Sequence, residues 1–286
     1  MPSAYSLNNL TDYERIYMKI RARDIWLDLE KIRKVSPLVH NITNYVVMNT
    51  TANALLAIGA SPVMAHAVEE VEEMTSIAHA LVINIGTLSE RWVKAMLCAA
   101  GKADKLGIPV VLDPVGAGAT SYRTKTCHDL LDVCTPAIIR GNASEIMALA
   151  TGEAKTKGVD SSDPSDAALE AAKLLNRNTG STVCISGAVD YIVDGDRVIY
   201  VENGHPMMAS VTGMGCTASA LCGAFAAVNP SFPVAAAEAM TVMGIAGEIA
   251  AENCKGPSSL QIVFLDTLFC LSRDDITCRV NIGENQ

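Results

Sequence analysis

Three short segments hold residue types that could handle an anion such as a phosphate and a hard cation. TGMGCTASA (212–220) sets Gly213 and Gly215 around a methionine and follows them at once with Cys216 and small apolar residues. A glycine turn that opens into a helix leaves backbone N–H groups free at the positive end of the helix dipole, which suits an anion. Cys216 stands at that tip, beside whatever the anion reacts with, and the dipole is expected to lower its thiol pKa. Packing as a small residue is the plain alternative. LDPVGAGAT (112–120) ends an apolar run with Asp113 and continues into a loop where Gly116 and Gly118 let the backbone approach a ligand. Asp113 suits a hard cation such as Mg²⁺, or it caps a tight turn. IRGNASEI (139–146) brings Arg140 to the end of an apolar run, close to Asn142 and Glu145. Those last two can form a capping box, or Glu145 can act on a metal-bound water shell with Arg140 next to a phosphate. Capping alone leaves Arg140 without a purpose.

Something must hold these segments together. The runs 81–86 (LVINIG), 108–113 (IPVVLD), 136–140 (PAIIR) and 181–186 (STVCIS) are apolar, partly β-branched, and end in polar residues or glycine. That is the pattern of parallel strands buried on both faces. Helices are expected around them at 45–58, 69–79, 89–105, 122–134, and 144–150 with 163–179. Residues 189–193 and 197–201, joined by DGD, read as a hairpin, and 216–228, 233–254 and 259–272 as helices. Alternating strands and helices imply a three-layer α/β/α domain with a mostly parallel central sheet. It is expected to span 1–286 as one unit, with a helical extension over 1–33 and a polar loop over 155–166. Ligands of such sheets gather beyond the carboxyl ends of the strands. The residues there are Asn84, Gly86 and Thr87, then Asp113 to Gly118, Arg140 to Glu145, and Ser186 with Gly187. Turns alone do not call for two acids and an arginine on one edge.

The chain of 286 residues is 50% hydrophobic with a formal net charge of −9, enough for a large core but without the basic surface that nucleic acid or an anionic membrane requires. Its start lacks the apolar segment of a secretory signal. The longest uncharged stretch, 206–237, is broken by Gly213, Gly215, Asn229 and Pro230, which argues against a membrane span. A soluble, cytoplasmic protein is expected. Its nine cysteines, with no C-x-x-C pair or zinc-like cluster, read as reduced thiols. The spacing Gly213-x-Gly215-x-x-Ala218 also mimics a dinucleotide fingerprint, but another helix follows 216–228 where a strand with an acid is required.

Taken in order, SPLVHNITNYVVMNTTANALLAIGASPVM (36–64), NIGTL (84–88), LDPVGAGA (112–119), AIIRGNASEI (137–146), GMGC (213–216) and GPSSLQ (256–261) resemble the hydroxyethylthiazole kinases of the ribokinase-like superfamily. The resemblance runs from Ser36 to about Leu271 and leaves out the first thirty-odd residues. It implies a ribokinase-like fold and transfer of the ATP γ-phosphoryl group to the hydroxyl of 4-methyl-5-(2-hydroxyethyl)thiazole in thiamine salvage. It also implies Mg²⁺ and a homotrimer with active sites between subunits. Carried over by motif, Arg140 and Ser186 fall at ATP-binding positions, and Met64 and Gly213 at thiazole-binding positions. Asn44 and Val46 lie in a segment similar to the one lining the thiazole pocket. Asp113 and Glu145 match acids near the metal and phosphates, Glu145 through water. Cys216 falls where ribokinase-like enzymes generally carry an Asp as base and where the thiazole kinases carry Cys.

Three departures stand out. The family's TGE is SGA here (186–188), which removes a carboxylate at Ala188; Met214 adds bulk within the glycine turn; and Ser258 replaces a glycine in GPGSFQ. A kinase for another small heteroaromatic alcohol, such as an aminopyrimidine, and a binding protein without turnover are the rival readings.

Overall fold

The computed structural model describes residues 20–151 and 164–285, so most of the expected 1–33 extension and of the 155–166 loop lies outside the described residues. The elements run α1 (Ala22–Val35), β1 (Leu38–Ile42), α2 (Met48–Ala57), β2 (Ser61–Val63), α3 (Val71–Ile77), β3 (Ala80–Asn84), α4 (Glu90–Leu106) and β4 (Val110–Asp113). Next come α5 (Ser121–Val133), β5 (Ile138–Asn142), α6 (Ala143–Thr151), α7 (Pro164–Thr179), β6 (Thr182–Ser186), β7 (Asp190–Asp194) and β8 (Arg197–Val201). A 3-10 helix, Pro206–Ser210, leads into α8 (Met214–Ala226), α9 (Phe232–Glu252), α10 (Pro257–Cys270), α11 (Arg273–Arg279) and β9 (Ile282–Asn285). Local chemistry sets several boundaries. Ser89 caps α4 by accepting from the Trp92 amide, and Gly107 ends that helix with φ 67°.

All nine strands join one sheet in the order β2-β1-β3-β4-β5-β6-β7-β8-β9. The strands from β2 through β6 run parallel, and β7, β8 and β9 extend the sheet antiparallel. Side chains alternate between two cores, as the two-residue strand period requires. Val82, Val111, Ile138 and Cys184 pack with α1, α2, α8, α9 and α10. Leu81, Ile83, Leu112, Ile139 and Val183 pack with α3 through α7. The result is the expected α/β/α layering.

Two apolar helices lie at the heart of one layer. α9 is long and apolar enough to cross a membrane by length and composition, but 78% of its most apolar window is buried inside the structure, as for a central core helix. α8 lies close on the sheet because position 223 is glycine. A Cβ there would stand 2.6 Å from Val82 Cγ2 and 3.3 Å from Val39 Cγ1.

β1, β2, β9 and α11 have no counterpart in the sequence reading. β1 contains His40 and Asn41, which break its apolar pattern although both are fully buried. The His40 ring is satisfied at 3.0 Å from Thr75 Oγ1 and 2.8 Å from the Ala65 carbonyl, and burial lowers its pKa. β2 is three residues long and includes Pro62.

Candidate active site at the tip of a core helix

The register of the sheet collects the chemistry on one edge. Asn84 pairs with Asp113 where β3 and β4 end, and Asn142 pairs with Ser186 where β5 and β6 end. Asn44 follows β1, and Met64 follows β2. The N-terminus of α8 completes this edge. Its N-cap, Gly213, has φ 90° and no side chain caps it. A Cβ at that position would stand 2.8 Å from Val47 Cγ1, so glycine is required twice over, by conformation and by space. The first-turn N–H groups of α8 are left available to an anion.

Different groups occupy the two sides of this tip. On one side lies a cavity of about 540 Å³, lined by Arg140, Ser186, Asp190, Met214 and Gly215 among others. Arg140 is 7% exposed, and its Nη1 donates to the Gly215 carbonyl at 2.9 Å, while its Nε has no partner among the described residues. Burial opposes the guanidinium charge, but Asp113 leads the groups that outweigh it, and the Arg140 pKa is raised. Ser186 Oγ donates to the Gly141 carbonyl at 3.3 Å.

On the other side, Asn44 Nδ2 donates to Cys216 Sγ at 3.3 Å and to Asn84 Oδ1 at 2.9 Å. Asn84 Nδ2 donates onward to Asp113 Oδ2 at 2.7 Å, and Ser219 Oγ donates to the same oxygen at 2.8 Å. Asp113 is 1% exposed, and burial raises its pKa to about 6 against the opposing pull of Arg140. The expectation of a lowered thiol pKa is overturned. Burial first, and the charge of Asp113 second, push the Cys216 thiol up, so the neutral thiol rests at this site.

Glu145 takes the capping position that the sequence left open. Its Oε2 accepts from the Asn142 amide at 2.8 Å, and Asn142 Oδ1 accepts from the Glu145 amide at 3.0 Å. Its Oε1 also accepts from the Gly116 amide at 2.8 Å, which fixes the glycine loop. Across that loop, Arg123 Nη1 donates to the Val115 carbonyl at 2.5 Å and the Ile85 carbonyl at 2.9 Å, and Nη2 donates to the Gly86 carbonyl at 2.8 Å. One guanidinium thus ties the turn after β3, whose Gly86 amide bonds Asn84, to the loop after β4. Arg123→Met is expected to lower kcat by about 10- to 100-fold, the order expected for an ångström of misplacement. The KM for nucleotide should change little, because Arg140 is untouched. Steady-state kinetics check this, with Arg123→Lys falling between.

The structure brings Arg140, Ser186 and Gly215 together on the cavity side, and Asn44, Cys216 and Asp113 together on the other. Val46 is 64% exposed and joins only through its amide, which donates to Asn44 Oδ1 at 3.1 Å. Met64 is half-buried after β2 and lies outside the hydrogen-bonded cluster; its carbonyl meets the ring of His66. Asp190 was missed. It lines the cavity two residues beyond exposed Ala188, accepts from the Gly187 amide at 3.0 Å, and is raised to about 6 by burial. Ser219 and Arg123 were missed as well. Ser219 follows Gly215 by one helical turn, a spacing that could have placed it beneath the tip. Met214 lines the cavity. Ser258 is an exposed residue inside α10, where no glycine is needed.

Residues 29–274 match the family model described as the hydroxyethylthiazole kinase family. The chain is 61% identical over 266 residues to a hydroxyethylthiazole kinase of Syntrophus aciditrophicus, covering 93% of this chain and 98% of that one. Among solved structures, hydroxyethylthiazole kinase protein from Pyrococcus horikoshii superposes with a TM-score of 0.86 at 44% identity, covering 92% of this chain and 100% of that one. A ribokinase-like superfamily protein from Enterococcus faecalis, 15% identical, shares the fold with a TM-score of 0.58 over 82% of this chain and 87% of its own.

Proposed function

The chain belongs to the hydroxyethylthiazole kinase family, and from that premise we propose that the tip of α8 stands between a nucleotide and the alcohol it phosphorylates. The protein is an enzyme that phosphorylates the alcohol of hydroxyethylthiazole, a reaction of thiamine metabolism. The family implies ATP with a divalent cation. One observation carries the assignment of sides. Arg140, a buried cation whose Nε has no partner among the described residues, lines the cavity while bonding the carbonyl of Gly215, the residue next to Cys216.

The phosphates take the cavity side, at Arg140, Ser186 and the uncapped amides of α8. The thiazole takes the other, beside Asn44, Val46, Met64 and Gly213. Mg²⁺ is our choice of cation. Carboxylate oxygens suit it, and it commonly binds through one or two of them while keeping water and phosphate oxygens. Asn84 and Ser219 both donate to Asp113 Oδ2, so among the described residues no side-chain donor meets Oδ1. Both Glu145 oxygens already accept backbone N–H groups, so this acid acts through water. When bound, the cation neutralises charge on the transferring phosphates.

Phosphoryl transfer is largely loose, so positioning and charge neutralisation dominate and a base adds modestly. A neutral thiol held by the Asn44 amide fits that demand by orienting the alcohol, whose proton passes late to an oxygen of the transferred phosphoryl group. We place this chemistry in a single cytoplasmic domain. We also propose a homotrimer, because Tyr45 and Val46, 65% and 64% exposed, follow Asn44 directly at a surface that a second copy would cover.

An assay of thiazole-dependent ADP formation tests the reading. Cys216→Ala should lower kcat by about 10- to 100-fold with little change in thiazole KM, and Cys216→Asp should keep or raise turnover. Unchanged turnover in the Ala variant would remove Cys216 from the mechanism. Preference for an aminopyrimidine alcohol in the same assay, or calorimetric binding without turnover, would select one of the rival readings instead.

A further inference from the structure

The cavity beside α8 holds Arg140 and Asp190 on one part of its lining. Arg140, Ser186 and Asp190 stand at the α8 tip, and the far end is walled by the 203–208 segment with Met240 and Met243. What a ligand meets at that far end follows from which polar groups are already engaged. Asn203 Nδ2 donates to Glu248 Oε1 at 2.9 Å and to the Arg279 carbonyl at 2.7 Å, and its Oδ1 accepts from the Asn281 amide at 2.9 Å. The Gly204 amide donates to Glu248 Oε1 at 2.9 Å, and the His205 amide points to Met208 Sδ at 3.4 Å. His205 Nδ1 accepts from the Met207 amide at 3.2 Å. Among the side chains of this segment, that leaves the outer ring nitrogen of exposed His205, an N–H donor that can meet the N7 acceptor offered by adenine and guanine alike. Met208, Met240 and Met243 also line this end, and methionine is flexible, polarisable and able to repack around different shapes.

We propose that this cavity takes purine nucleoside triphosphates as a class, holding the base by methionine packing and reading only the phosphates with fixed polar groups. Strong rejection of a wrong ligand requires a buried polar group that it would leave unpaired, and without one discrimination stays within about 100-fold. With any such donor, the bond from the γ-phosphorus to its bridging oxygen breaks, a bond to the alcohol oxygen forms, the nucleoside diphosphate leaves and the alcohol proton is released.

The inference rests on the kinase reading above, so the test separates the two. Thiazole phosphorylation is measured with Mg·ATP and Mg·GTP on the intact protein, and ADP and GDP affinities are measured by calorimetry. The expected result is a kcat/KM for GTP within about tenfold of that for ATP, with a similar ratio of diphosphate affinities. A preference for ATP below about 100-fold supports the proposal, and a larger one overturns it. No turnover with either donor would sink the kinase reading, and the ADP-to-GDP affinity ratio would then decide the base question against the same threshold.

Discussion

Arg140→Met is expected to lower kcat/KM for the nucleotide by about 10³-fold or more, the order found when an arginine that stabilises a transferring phosphoryl group is removed. The side chain is buried, lines the cavity and bonds the carbonyl next to Cys216, so with phosphates in the cavity, as proposed, its loss would strip charge from them and loosen the helix tip together. Stability should fall as well. Asp113 would lose the cation that counters its desolvation, and stranding a buried charge costs about 3–5 kcal/mol, less whatever Asp113 recovers by taking up a proton. Thermal melts of Arg140→Met and of the double variant with Asp113→Asn separate the two effects. The double variant should regain part of the lost melting temperature and none of the activity. Equal melting of single and double variants would show that the two charges are not coupled.

Asp113→Asn carries the second large effect, a loss of about 10²- to 10⁴-fold in kcat. Asparagine can still accept from Asn84 and Ser219, so the scaffold survives while the charge available to a cation disappears. A dependence on pH accompanies this. Protons compete with metal for the carboxylate, so at limiting Mg²⁺ the wild-type rate should fall as pH drops through about 6, and added Mg²⁺ should restore it. The stability of the metal-free protein moves the other way. The folded value lies above the unfolded one, so the ionised acid destabilises the fold above pH 6, and that penalty, about 3 kcal/mol, is relieved as pH falls from 6 toward 4. Melting at pH 5 and pH 8 with chelator checks the sign. A wild-type rate limb that Mg²⁺ cannot shift would point instead to Asp190, which titrates in the same range.

The parallel strands β3 to β6 were legible because burial on both faces leaves an uninterrupted apolar run, and the polar residues that end those runs are the ones now gathered on one sheet edge. β1 was not legible. Its His40 and Asn41 look like loop residues until partners distant in sequence satisfy them, and no local pattern announces Thr75 or Ala65. Cys216, Asp113 and Arg140 stood out in the sequence because a strand end or a glycine turn has few structural reasons to hold such groups. Arg123 and Ser219 escaped because their work is done through carbonyls and a carboxylate brought near by the fold. The thiol pKa was misjudged for a related reason. A dipole can be read from one helix, whereas burial depends on everything packed around it.

Gly223 gives α8 a pivot. With no side chain between helix and sheet at that point, the helix bears directly on Val82 and Val39, and Cys216 sits seven residues away on a lever arm of about 10 Å. A tilt of about five degrees at the pivot would swing the sulfur by about 1 Å, enough to cost on the order of 100-fold in rate. Turnover in this protein is therefore open to tuning from the middle of its core, by residues that no substrate ever touches.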